Sequence, residues 1–141
     1  MSEDKTKKGR VTGIGGVFFK CDDADKQKSW YAEKLGIPME SWGSAFRWRQ
    51  FENPEKTGST AWSAFKKETK YLDPSDSSFM INYRVDDLEA MLERLKSEGV
   101  TVVGDIESYD YGKFGWIMDP EGNKIELWEP IDEVYDKMLE G

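Results

Sequence analysis

Chemistry in this chain has to come from side chains other than imidazole, because its 141 residues include no histidine. That count removes Ser-His and Cys-His nucleophile activation, imidazole acid–base catalysis and every histidine-containing metal site. Cys21 is the one cysteine, which also removes thiolate zinc clusters and an internal disulfide framework. It fits a reducing, cytoplasmic setting and reads as a small buried apolar residue, not a nucleophile. A metal ion would have to sit among carboxylates and carbonyls. Gly13, Gly15 and Gly16 do not form a dinucleotide fingerprint, since the third glycine of that motif is missing and a strand follows. What the chain has in quantity is flat apolar surface. Its six tryptophans, six tyrosines and seven phenylalanines suit planar ligands, or a filled core.

The charge balance narrows the partners. A formal net charge of −8 argues against nucleic acid, where phosphate neutralisation dominates affinity. The basic cluster Lys5, Lys7, Lys8 and Arg10 lies in a polar stretch with Ser2, Glu3 and Asp4, so residues 1–10 are expected to be a flexible, solvated tail. No apolar run approaches the ~20 residues of a membrane span, and no signal-peptide core follows the start.

These side chains need elements to position them. Residues 11–21 (VTGIGGVFFKC) read as a strand, and Asp22, Asp23 and Asp25 open a helix with Ala24, Trp30, Tyr31 and Leu35 on one face and Gly36 as its cap. Short strands are expected at 40–42, 45–51 and 59–65, with Pro54 and Gly58 marking a turn. After a polar loop, residues 78–85 form a strand and Asp86-Asp87 start a second helix. Its Leu88, Met91, Leu92 and Leu95 fall at i, i+3, i+4 and i+7, and Gly99 ends it. Strands near 100–103, 113–118 and 124–128 follow. Ile131, Val134, Tyr135, Met138 and Leu139 then repeat the helical spacing, giving a short C-terminal helix over 131–141.

The two series are one pattern repeated. GVFFKCDDADKQKSWYAEKLGI lies on MINYRVDDLEAMLERLKSEGV at an offset of 64 residues, with Asp22-Asp23 on Asp86-Asp87 and one residue of slip by the helix ends. Phe46-x-Trp48 echoes Phe114-x-Trp116. Each half, 11–66 and 78–130, reads strand–helix–strand–strand–strand, and a half of about 60 residues buries too little surface to stand alone. The expectation is one α+β domain over 11–130.

This repeat resembles the vicinal oxygen chelate superfamily, which includes glyoxalase I, bleomycin-resistance proteins and extradiol dioxygenases. The Asp-Asp strand–helix unit ending Leu-Gly-Ile and the segment DPEGNKIELWEP carry the resemblance. It implies two tandem βαβββ modules forming a curled sheet cup with helices outside, a small ligand inside and a homodimer. In metal-dependent members the ligands come from the first and fourth strands of each module. Those positions fall here on Gly16, Trp62, Met80 and Glu126, of which Glu126 alone is a suitable donor. The expectation is therefore no catalytic metal and no cofactor.

Strand alternation then selects the residues facing the cup. In the last strand Ile125 and Leu127 turn to the helix, leaving Lys124, Glu126 and Trp128 toward the cup. Phe114 and Trp116 share the parity that the resemblance places inside, as do Trp48 and Trp62 by the repeat. Asn82 and Arg84 share the parity of Met80 and are candidates to hold a ligand carbonyl or carboxylate. Arg47 and Arg49 alternate with Trp48 and should face outward. Glu126 either sets ligand orientation, serves as acid or base, or pairs with Lys20 or Arg84. The reading reached is a metal-free protein that binds a small, partly aromatic organic ligand through Trp48, Trp62, Asn82, Arg84, Phe114, Trp116 and Glu126. A glyoxalase-like lyase or isomerase using Glu126, or a non-standard metal site, is the alternative.

Overall fold

The two Asp-Asp pairs start helices in three dimensions as they do in sequence. The computed structural model describes residues 9–140, so Lys5, Lys7 and Lys8 of the expected tail lie outside the described residues. Strand β1 (Val11–Cys21) leads to helix α1 (Ala24–Leu35), where the Asp23 carboxylate accepts from Lys26 N at 3.0 Å and Gly36, at φ 72°, closes the C-terminus. Strands β2 (Ser44–Arg49) and β3 (Thr57–Lys66) complete the first half. Strand β4 (Phe79–Val85) and helix α2 (Leu88–Ser97) open the second, with Asp87 accepting from Ala90 N at 3.1 Å. Such caps satisfy helix N–H groups that have no partner of their own. Strands β5 (Glu107–Tyr109), β6 (Gly112–Met118) and β7 (Lys124–Pro130) precede helix α3 (Asp132–Glu140).

All strands join one curled sheet in the order β2-β3-β1-β4-β7-β6-β5. β1 runs parallel to β3, β4 runs parallel to β7, and β1 and β4 pair antiparallel between them. The order is mirrored about that central pair, as a duplicated α+β unit requires.

Three expectations are corrected. Residues 40–42 make one isolated bridge, Glu40 to Gly43, so the first half has one strand fewer than the second. The segment 100–103 contributes a single bridge, Val102 to Ile117, and the extra strand of the second half is β5. The last two residues of the expected tail are held: Gly9 N and Arg10 N donate to Asp86 Oδ1 at 2.9 and 3.0 Å, and Arg94 grips the Gly9 carbonyl at 2.7 Å.

The outer face carries the main apolar core. Under α2, Leu88, Met91 and Leu92 meet Val85, Ile117 and Leu127, with Tyr83 and Ile125 beside them. α1 is covered more thinly: Tyr31 packs on Phe19 and Trp62, while Trp30 and Leu35 stay about half exposed. The α2 side therefore carries most of the outer-face stability. Replacing Leu88, which is 0% exposed, by Ala should cost about 2–5 kcal/mol, read as a lowered urea midpoint at unchanged slope.

Candidate functional site

Glu126 sits in the middle of β7, paired in register with Asn82 on β4 and Trp116 on β6. Neighbours in register share a face, so all three side chains converge on the concave side. Asn82 Nδ2 donates to Glu126 Oε1 at 2.7 Å, and Trp116 Nε1 donates to Oε2 at 3.0 Å. The Tyr71 hydroxyl donates to the same Oε2. The carboxylate is 3% exposed and is held by neutral donors, not by Lys20 or Arg84.

Tyr71 comes from the loop between β3 and β4, which no periodicity marked as functional. Its neighbour Leu72 is fully buried with Met80 and Trp116 and fills that end of the cup. Burial first, then the Glu126 charge, push the Tyr71 hydroxyl well above the ordinary tyrosine range. Lys124 donates to the Tyr71 carbonyl at 2.6 Å and lies over the Tyr71 and Trp116 rings. Burial pulls the proton affinity of its ammonium below the usual lysine range.

The rest of the cup is open. A cavity of about 660 Å³ runs over the concave face, walled by Phe18, Phe65, Tyr111, Phe114 and Trp128, with Asn82 and Glu126 at its floor. Phe114 stacks on Trp128 at 5.7 Å between centroids with 6° between planes, and Tyr111 meets Phe114 edge-on. The small residues Gly15, Ala61, Ser63 and Ala64 line the first-half side. Helix α3 supplies Tyr135, Met138 and Leu139 to the wall, so the C-terminal helix is part of the cup.

Arg84 is what holds that helix. Its Nη2 donates to Asp132 Oδ2 at 2.6 Å, with the two side chains 5% and 21% exposed, and its guanidinium lies over Trp48 and Trp128 at 5.0 and 5.6 Å. Gln50 donates to the same Asp132 oxygen at 3.0 Å. Arg47 is corrected: it faces α3, pairing with Asp136 at 2.7 Å and Glu140 at 3.2 Å, because it lies opposite Ser59 on the concave side of β3.

The structure brings together Glu126, Asn82, Trp116 and Phe114, and separates Trp62 and Trp48 from them. Trp62 packs against Phe19 and Tyr31 on the helix side. Trp48 lies opposite Gly58, contacts Arg84 and donates to Thr60 Oγ1 at 2.9 Å; it is not in the cavity wall. For Trp62 the reason is the one-residue slip between the helices. Asn82 pairs with Glu126 as Phe18 pairs with Ser63, so the counterpart of Glu126 is Ser63, and a shift of one inverts every side chain. Cys21 donates weakly to the Phe65 carbonyl at 3.4 Å, and burial followed by Asp23 and Asp22 raises its thiol above the usual range.

These residues do not fit a divalent ion. Gly16 has no side chain, Met80 is fully buried against Leu72 and Trp116, and the Ser63 hydroxyl is given to the Trp42 carbonyl. The groups around Glu126 present N–H and O–H hydrogens, the wrong polarity toward a cation shared with that carboxylate. No group of three or more His, Cys, Asp or Glu side chains suited to a metal exists among the described residues.

The family model of a glyoxalase-like domain matches residues 16–128. The chain belongs to that family. Among solved structures, the fold of this glyoxalase-like protein is similar to methylmalonyl-CoA epimerase from Mycobacterium tuberculosis, at 24% identity over 89% of this chain and 93% of that one, TM-score 0.58. A variant of the Streptomyces coelicolor methylmalonyl-CoA epimerase in complex with 2-nitronate-propionyl-CoA aligns at 14% identity over 86% and 99%, TM-score 0.64. A glyoxalase/bleomycin resistance protein/dioxygenase superfamily member from Vibrio splendidus aligns at 16% over 86% and 98%, TM-score 0.53. At these identities the likeness is one of fold. No curated protein matches the chain significantly.

Two expectations follow for the Glu126 network. A Cβ on Gly15 would overlap Asn82 Oδ1 and come within 3.0 Å of Arg84 Cγ and 3.1 Å of Trp128. Gly15→Ala should therefore destabilise the protein by about 1–3 kcal/mol and shift the Trp116 indole N–H resonance, read by urea unfolding and NMR. Because the Tyr71 proton is held more tightly in the folded state, its contribution to stability is whole below the ordinary value of about 10 and falls as pH rises beyond it. The stability difference between wild type and Tyr71→Phe should narrow above about pH 10. A constant difference through about pH 11 would mean that the folded state does not hold the Tyr71 proton more tightly than the unfolded chain.

Proposed function

We propose that this glyoxalase-like protein binds a small, partly aromatic organic molecule in the cup and holds it without a catalytic metal. The observation that carries this reading is the cavity of about 660 Å³, inside the usual range for small-molecule sites, with aromatic walls and a polar floor of Asn82 and Glu126. Rings already ordered by stacking on one another lose little freedom when a planar ligand joins them. Glu126 sets orientation. Its oxygens accept from Asn82, Trp116 and Tyr71, which hold the carboxylate in one position. The Tyr71 hydroxyl and Lys124 are likewise committed, one to Glu126 and the other to the Tyr71 carbonyl, which favours holding a ligand over moving its protons.

The test uses the neutral fluorescent probe N-phenyl-1-naphthylamine. Its emission should rise saturably on addition of protein, with one site per chain. Ala61→Phe, which fills the cavity from β3, should abolish the rise while the protein still melts cooperatively. Phe114→Ala, which removes a wall, should weaken the probe by about tenfold. Emission that neither variant alters would place the probe elsewhere and remove the support for the cup as the site.

A further inference from the structure

Glu126 is a buried carboxylate that Lys124 balances only from beyond ion-pair distance. It is 3% exposed, and no lysine or arginine forms an ion pair with it among the described residues. Charges taken out of water are ordinarily paired, because the desolvation cost of a lone one is high. Of the cations around the cavity, Arg84 is committed to Asp132, Lys124 to the Tyr71 carbonyl and two ring faces, and Lys28 to the Ser41 carbonyl and Asp25, while Lys66 stands at the exposed rim. An ionised carboxylate offers about four acceptor sites. Oε2 receives Tyr71 and Trp116, whereas Oε1 receives Asn82 alone, so Oε1 keeps room for another donor on the carboxylate that floors the cavity.

The walls point the same way. Aromatic faces carry negative potential and attract cations, and here Phe18, Phe65, Phe114, Tyr111 and Trp128 surround the approach to Glu126. The net charge of −8 adds a long-range pull on positive solutes and repels anions. We infer that the ligand is a cation, a planar aromatic compound bearing a protonated nitrogen that donates to Glu126 while its rings lie among those of the wall. This rests on the cup being the binding site and names the class of molecule it takes.

Three compounds of one shape separate the possibilities in calorimetric titrations near neutral pH: 2-naphthylmethylamine, which is protonated there, neutral 2-naphthylmethanol and anionic 2-naphthoate. The amine should bind at least about tenfold more tightly than the alcohol, with the acid weakest. Glu126→Gln should bring the amine to the level of the alcohol. An alcohol that binds as well as the amine, or an acid that binds best, overturns the inference and leaves the cup standing as a site. If N-phenyl-1-naphthylamine binds and none of the three does, the inference also falls. If that probe fails as well, the cup itself is wrong. The wild-type series decides the matter even if Glu126→Gln does not fold.

Discussion

The seam between β1 and β4 is the constraint on which the rest depends, since it alone joins the two halves of the sheet. It works because β1 carries no bulk where β4 needs room. Gly15 leaves space for Asn82, Arg84 and Trp128, and Gly16 leaves space for the Phe18 ring. Glycine inside a strand marks such close approaches, at a cost in backbone freedom that packing must repay. The glycine cluster that failed as a nucleotide fingerprint is therefore the clearance through which two β4 side chains reach the concave face. From there Asn82 fixes Glu126 and Arg84 fixes α3.

That second connection changes what the C-terminal helix is. α3 has no buried residue, and an isolated nine-residue helix has little stability of its own in water. It stays in place through Asp132 on Arg84 and Gln50, Asp136 and Glu140 on Arg47, and Tyr135 against Tyr111 and Trp128. A charge pair as covered as Arg84–Asp132 adds little net stability but penalises any arrangement that breaks it, which suits a latch. The cavity wall is thus fastened to the same strand that sets its floor.

Much of this was legible in the sequence, and the failures have physical causes. The duplicated Asp-Asp helix starts, the i, i+3, i+4 spacing of α2 and the alternation of β7 are local patterns, and each carried over into the fold. The first-half partner of Glu126 did not. α1 has 12 residues and α2 has 10, and carrying the offset of the opening strands past the helices put Trp62 where Ser63 belongs. In a helix a one-residue error turns a side chain by about 100°, whereas in a strand it moves it through the sheet. Tyr71 was invisible for another reason. It lies in an irregular loop with no period to read, and what places it is the burial of Leu72, a contact made only in the folded chain.

The inequality of the halves explains why the cup is filled at one end and open at the other. On the second-half side the inward positions carry Trp116, Phe114 and Trp128, while on the first-half side they carry Ala61 and Ser63. Two identical halves would fill the cup evenly or leave it evenly empty. Here Met80, Leu72 and Trp116 close one end, and the small residues of β3 leave volume at the other. Glu126 stands on the boundary. Trp116 and Tyr71 both donate to its Oε2, Asn82 donates to its Oε1, and Glu126 and Asn82 together line the cavity floor. A carboxylate braced from behind by neutral donors cannot swing away to meet a cation, so it stays at the floor of the open half of the cup.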